Sequence, residues 1–307
     1  MRSRTIFDWA TRTRTCQCDS NRVSPISSNQ FCKDGDNVRI TIGALLQPQH
    51  GDMKKLRDRW MEAEDLGADI LWTCDHFTAQ VLSEEAAEGA HTETVTSGKN
   101  FESTSIQAAM AATTSRARIG CMVHGNSFRN PNLMADIART IDHLSDGRFI
   151  LGLGSGYLKA DYDEYGYDYG TATSRLHDLA RNVPIIKSRL KSLNPMPLGP
   201  MPLLIGSMGD RIGLRIVAEH ADMWQMYGPM EKIDHKIEVL KRHCADFQRD
   251  PEEIERLTLY LPKLLPDTDP DAYVAKGFRH IDVVVTGPDW DLTELMDLLA
   301  WKKSRGY

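Results

Sequence analysis

No run in the 307-residue chain approaches the roughly 20 consecutive apolar residues that a membrane helix needs, which excludes a dedicated membrane protein. CxxC pairs are absent too. The six cysteines stand at 16, 18, 32, 74, 121 and 244, and Cys16-x-Cys18 is too close for the usual zinc-knuckle spacing, so no metal site is expected. Cys74 and Cys121 lie inside apolar runs, where a free thiol behaves as a small hydrophobe. All six are expected to be reduced, which fits a cytoplasmic location. The body of the chain also lacks a basic stripe. Residues 1–33 carry six basic side chains against Asp8 and Asp19, a net +4, so with a chain total of -6 the remaining residues carry -10. So acidic a body repels a nucleic-acid backbone. With 41% hydrophobic and 26% charged residues, the composition is that of a globular protein long enough to bury a large core.

Residues 1–37 show neither the 3.6-residue nor the two-residue apolar period, and no apolar run of signal-peptide length. Their Arg/Ser/Thr-rich, acid-poor composition superficially matches an organelle transit peptide. A disordered N-terminal extension, or upstream sequence included by a wrongly chosen start, is the expectation preferred here.

From residue 38 to 307 the pattern is regular. Strand-like runs fall at 38–46, 68–74, 118–123, 148–154, 202–206, 222–226, 257–261 and 281–285. Helical periodicity fills most gaps between them. Asp52 caps a helix whose apolar face recurs at Met53, Leu56, Trp60, Ala63 and Leu66 until Gly67 stops it, and further helices are expected at 103–115, 131–144, 171–191, 210–220, 231–247, after Asp250-Pro251, at 270–276 and at 291–304. Strands alternating with helices imply right-handed crossovers and a parallel sheet. Eight units over about 270 residues predict a closed (β/α)8 barrel, a TIM barrel, in place of a doubly wound sheet. The polar stretch 78–100 is an insertion after strand 2, on the face where such barrels place their active sites, and is expected to act as a lid or binding loop.

Four places that follow strand ends could carry chemistry. In Asp75-His76-Phe77 an imidazole could serve as acid or base near neutral pH, with the adjacent carboxylate tuning or orienting it. Gly152-Leu153-Gly154-Ser155-Gly156 lacks the third glycine of a dinucleotide fingerprint, and the YLKADYDEYGYDYG that follows reads as aromatic and acidic without a helix, so a Rossmann site is excluded. Three glycines there predict close approach of a ligand to backbone. Gly206-Ser207-Met208-Gly209-Asp210 precedes a helix, and small residues at a helix N-terminus suit a phosphate. In Val123-His124-Gly125-Asn126 the glycine suggests irregular backbone, and His124 reads as a satisfied polar group before it reads as a catalyst.

At these residues the sequence resembles the luciferase-like monooxygenase superfamily, particularly its deazaflavin-dependent (coenzyme F420) oxidoreductase branch. The resemblance is carried by LWTCDHF, FESTSIQAAMAATTSRARIG, FRNPNLMADIARTIDHLSDGRFILGLGSGY and PLLIGSMGDRIGLRIVAEHAD, and more weakly by RHIDVVVTGPDWDLTEL. It implies a barrel that holds a flavin or deazaflavin ring in its mouth. His76 occupies the place of the histidine that faces the reacting ring carbon, with Asp75 beside it. The resemblance further implies a backbone bulge around Met122-Val123 supporting the ring, with His124 and Asn126 nearby. It places the phosphate between Gly154, Ser155, Gly156 and Tyr157 on one side and Gly206, Ser207, Met208, Gly209 and Asp210 on the other.

The chain also departs from the pattern. Tyr157 stands where some deazaflavin dehydrogenases carry a glutamate acid, and Gln80 where sugar-phosphate-oxidising members carry a tryptophan, which disfavours that substrate. The short, proline-rich connection NPMPLGPMP is expected to trim the cofactor's exposed side. The function so implied is hydride transfer between F420 and a small organic substrate. The alternatives are an FMN-dependent monooxygenase served by a separate flavin reductase, and a non-catalytic flavin-binding barrel. A homo-oligomer is expected from the family, and neither a nucleic acid nor a membrane is an expected partner.

Overall fold

The computed structural model describes residues 39–81, 94–266 and 268–307; the N-terminal extension and most of the expected lid lie outside the described residues. Eight parallel strand positions close into a barrel. They are β1 (Thr41–Leu46), β2 (Ile70–Thr73), a third position split into β5 (Arg118–Cys121) and β6 (His124–Gly125), β7 (Phe149–Gly154), β8 (Leu203–Gly206), β9 (Met223–Gln225), β10 (Glu255–Tyr260) and β11 (Phe278–Val285). Parallel pairing of β1 with β11, Leu46 opposite Val285, closes the ring. A short antiparallel pair, β3 (Ala79–Val81) and β4 (Thr94–Thr96), opens and closes the insertion after β2.

The helices wrap the outside. α1 (Met53–Leu66) is capped by the Asp52 side chain accepting from Lys55 N–H and ends on Gly67 in the left-handed region. α2 (Ser103–Thr113) is capped by Glu102, and α3 (Pro131–Leu144) by Asn130. Then come α4 (Lys159–Tyr165), α5 (Ala172–Ser192) with a Thr171/Ser174 capping box, α6 (Gly213–His220), α7 (Met230–Asp246), α8 (Pro270–Ala275) and α9 (Thr293–Ser304). Their apolar faces and the outward faces of the strands form the larger core, which includes Leu56, Trp60, Ile119, Phe149, Trp224 and Trp290. A smaller core fills the barrel interior with Ile70, Trp72, Ile150, Leu204, Met223 and Leu257. Gly120 leaves the room that the Trp72 indole fills, since a Cβ there would lie 2.3 Å from its ring. Among the described residues no helix is long and apolar enough to cross a membrane.

The structure corrects the sequence reading in five places. The third strand is interrupted at Met122-Val123, where a non-proline cis peptide separates β5 from β6. The aromatic, acidic run read as non-helical contains α4, which buries Asp161 and Tyr162. The helix expected from residue 210 begins at Gly213, and Asp250-Pro251 opens only a 3-10 turn, Pro251–Glu253. Finally, the proline-rich connection leaves the C-terminal end of α5 and is tied to that of α3, where Leu198 N–H donates to Asp142 Oδ2 at 2.8 Å and the Met196 carbonyl lies 2.8 Å from His143 Nε2. That is the barrel end opposite the mouth, so this segment cannot trim anything bound there.

Candidate active site

A cavity of about 360 Å³ occupies the C-terminal mouth of the barrel, and all eight strand positions or the segments just after them line it. Leu45, Met122, Leu259 and Val284 give it an apolar floor; His76, Asp161, Tyr157 and Arg175 make one side polar.

His76 stands three residues past the end of β2, where its ring reaches the mouth. Its Nδ1 lies 2.7 Å from Asp161 Oδ2. Asp161 Oδ1 accepts from Phe77 N–H, Thr78 N–H and the Thr78 hydroxyl at 2.9, 3.0 and 2.9 Å, so the carboxylate is fixed by the very loop that carries the histidine. With Asp161 beside it, Nδ1 bears the hydrogen, and Nε2 is the nitrogen left for chemistry. Nε2 lies 3.5 Å from the Tyr157 hydroxyl, and the two rings meet edge to face at 5.6 Å. Asn100 Nδ2 donates to the His76 carbonyl, tying the end of the insertion to the same loop.

Asp75 does not orient His76, contrary to the sequence expectation. Its carboxylate takes both ends of the Arg129 guanidinium at 2.6 and 2.8 Å, and Gly125 N–H at 3.1 Å, with His124 Nδ1 3.4 Å away. Burial raises the Asp75 carboxyl, but hydrogen bonds and charge from His124 and Arg129 outweigh it and hold it at about 2. Arg129 also reaches Glu102, the cap of α2, at 2.8 Å. A permanently charged pair with both carboxylate oxygens engaged is a latch between β2, β6 and α2, unsuited to proton transfer.

The expected cofactor residues divide. Met122, Val123 and His124 line the cavity, but His124 is fully buried, with its Nε2 3.2 Å from the Gln107 amide. Asn126 does not line it: its Oδ1 accepts from Asn182 Nδ2 at 3.3 Å, on the outer side toward α5. Gly154, Ser155, Gly156 and Tyr157 line it, as do Gly206, Ser207, Met208 and Gly209. Asp210 does not. Its carboxylate faces α7, pairing with Lys236 and with His235 at 2.9 Å.

The glycines are explained by the protein before any ligand. A Cβ on Gly152 would sit 1.9 Å from the Cys121 carbonyl oxygen, and one on Gly154 2.5 Å from Val123, so both glycines admit the neighbouring strand. Gly156 takes φ +73 and abuts the Tyr162 hydroxyl. Only at Gly209, among the expected cavity glycines, is the side-chain direction open, with nothing nearer than 3.8 Å.

Arg175 was not singled out by sequence reasoning. Near the start of α5, and only 5% exposed, it donates from Nε to the Gly156 carbonyl at 2.9 Å and from Nη1 to the Tyr169 carbonyl at 2.8 Å, with its guanidinium 4.0 Å from the Tyr169 ring centroid. Among the described residues it is the one lysine or arginine lining the cavity. Beside it are the hydroxyl-bearing Ser155 and Ser207, open Gly209 and the amino end of α6. A guanidinium, hydroxyls and a helix N-terminus are the chemistry that holds a phosphate. The apolar floor next to them suits a flat ring, so the residues present fit a phosphorylated flavin-type cofactor.

These features make a parallel (β/α)8 barrel whose mouth carries a histidine and whose rim carries a guanidinium and hydroxyls. The chain belongs to the luciferase-like monooxygenase family, which matches residues 38–275. Similar proteins include an F420-dependent glucose-6-phosphate dehydrogenase of Amycolatopsis mediterranei, 30% identical over 50% of this chain and 43% of that one. Another is the 4-hydroxyprotoasukamycin monooxygenase of Streptomyces nodosus subsp. asukaensis, 26% identical over 59% of this chain and 51% of that one. The matches thus span about half the length of these curated relatives. An F420-dependent secondary alcohol dehydrogenase, solved with an F420-acetone adduct, shares the fold with a TM-score of 0.66 at 15% identity, over 83% of this chain and 96% of that one.

Proposed function

We propose that this protein is an oxidoreductase that binds coenzyme F420 in the barrel mouth and acts on a small organic substrate, with His76 as acid–base residue. The observation that carries the reading is the chain Asp161–His76–Tyr157 opening into a cavity whose rim holds Arg175. When bound, the deazaflavin supplies hydride chemistry. Asp161 fixes the imidazole plane and its tautomer, Nε2 gives or takes the proton of the substrate's oxygen or nitrogen, and Tyr157 steadies that proton by a hydrogen bond. Arg175, Ser155, Ser207 and Gly209 hold the cofactor's phosphate, while Met122, Val123 and Leu259 exclude water from the ring.

The monooxygenase among the relatives favours a second reading, FMN-dependent oxygenation with a separate flavin reductase. Either reading includes a homo-oligomer as the working form.

Parallel titrations of purified protein with F420 and FMN test the proposal. Binding of F420 in preference to FMN, with turnover on a panel of alcohols and carbonyl compounds, is the expected result. Binding of FMN alone selects the second reading, and binding of neither overturns both.

A further inference from the structure

Tyr157 stands in the short stretch between β7, which ends at Gly154, and α4, which begins at Lys159, and the glycine before it takes φ +73. Side chains from further along the chain fix this stretch, each donating to one of three successive carbonyls. The Tyr162 hydroxyl donates to the Ser155 carbonyl at 3.3 Å, Arg175 Nε to that of Gly156 at 2.9 Å, and the Tyr169 hydroxyl to that of Tyr157 at 2.9 Å. Tyr169 is therefore the residue that holds the peptide of Tyr157 itself.

Tyr169 is a fixed point in its own right. Arg175 Nη1 donates to its carbonyl at 2.8 Å, the guanidinium lies 4.0 Å from its ring centroid, and the Tyr162 ring meets it edge to face at 5.0 Å. The contact that it supports is, by contrast, marginal. At 3.5 Å from His76 Nε2 the Tyr157 hydroxyl stands at the outer limit of a hydrogen bond, so a displacement of a few tenths of an ångström decides whether the bond is made. On its other side His76 meets Asp161, a carboxylate with three further donors of its own. The imidazole is thus firmly held at Nδ1 and sensitive to loop position at Nε2.

We propose that Tyr169 is a positioning residue, whose hydroxyl holds the Tyr157 carbonyl and thereby sets the Tyr157 hydroxyl against His76 Nε2. Tyr169 is not among the residues lining the cavity, so its effect on bound molecules passes through Tyr157. Its ring also joins the two halves of the site, because Arg175 of the anion-binding rim rests on its face. The part Tyr169 plays in turnover rests on the proposed function; its effect on the His76 ring does not, and is tested without cofactor.

Tyr169→Phe keeps the ring and its contacts with Arg175 and Tyr162 and removes one hydrogen bond, a small share of a domain's stability, so the variant is expected to fold. Nitrogen NMR of the full chain without added cofactor reads the His76 ring directly, its signals assigned by their loss in His76→Ala. Tyr157→Phe should move the His76 Nε2 signal, and Tyr169→Phe should move it in the same direction, while the signals of fully buried His124 stay in place. A His76 signal unmoved in Tyr169→Phe overturns the proposal. So does one unmoved in Tyr157→Phe, and so does a movement that His124 shares, which would mark general loosening. In turnover, Tyr169→Phe should lower kcat about fivefold, the equivalent of one hydrogen bond, with KM and cofactor affinity unchanged. The double variant Tyr157→Phe/Tyr169→Phe should be no slower than Tyr157→Phe alone. Additive losses, or wild-type kcat in Tyr169→Phe, overturn the proposal and leave the functional reading intact. Absence of cofactor binding in wild type sinks the functional reading, and the NMR comparison then decides this inference by itself.

Discussion

Asp75 and Asp161 lie on opposite sides of the loop that leaves β2, each with a side chain about 1% exposed, and they meet different partners. Asp75 is bound by the fork of Arg129, whose charge is permanent. Asp161 is bound by His76, an imidazole that unlike a guanidinium can give up its proton, and by three donors of the loop itself. A buried carboxylate paired with arginine fixes structure; paired with an imidazole that reaches a cavity, it fixes a proton donor. Adjacency in sequence points to the first aspartate, while the chain's path through α4 brings in the second.

The largest effect that separates the two clusters is His76→Ala. Turnover should fall about 10²- to 10⁴-fold, the range of a general acid or base, while cofactor affinity and melting temperature stay near wild type. Turnover within a few-fold of wild type would instead favour the non-catalytic binding barrel. Next is Arg129→Met, which strands Asp75 and should cost about 3–5 kcal/mol of stability by leaving a buried charge unpaired, read by denaturant unfolding. The wild-type latch has its own pH signature. Because the Asp75 carboxyl is held at about 2, below its ordinary value, its contribution is present above about pH 4 and is lost as pH falls through about 2.

The eight strands were legible because each is a short apolar run stopped by glycine or a polar turn, and His76 because it stands two residues beyond such a run. Asp161 was not legible: it sits in an acidic, aromatic run with no apolar period, and its partner is 85 positions away. α4 was missed for the same reason, since it buries a carboxylate and a tyrosine where an apolar stripe would be expected. Arg175 looked like any basic residue of an amphipathic helix. Gly152 and Gly154 carried a second signal, about the protein itself. Their spacing of two puts both on one face of β7, and that face admits Cys121 and Val123.

A third buried aspartate sharpens the contrast. Asp282, on β11 inside the barrel, has neither arginine nor histidine: Trp72 and the Gly43 backbone are its neighbours. Burial raises its carboxyl to about 8 in spite of them. The folded chain therefore keeps a proton that the unfolded chain releases near pH 4, so stability is full below about pH 4 and is lost as pH rises through about 8. Asp282→Asn preserves the shape and removes the titration. It should melt progressively higher than wild type between pH 4 and 8, a gap of about a few kcal/mol at the upper end. A gap independent of pH would show that Asp282 is ionised in the fold.

Asp161→Asn is the finest cut, because the amide oxygen can keep the three loop donors while an NH2 replaces the oxygen that met Nδ1–H, removing the charge and the acceptor on the histidine side alone. If Asp161 merely held the loop, as Asp75 holds its own, the variant would lose a little stability and leave turnover alone. If it positions and charges His76, kcat should drop about tenfold to a hundredfold, the smaller part of what acid–base catalysis contributes, with KM and cofactor affinity little changed. Asp161→Glu, which restores the charge at a different reach, should recover part of that loss. Loss confined to KM, or equal losses in the asparagine and glutamate variants, would place Asp161 with Asp75 as a structural group and leave the histidine to be oriented by Tyr157 alone.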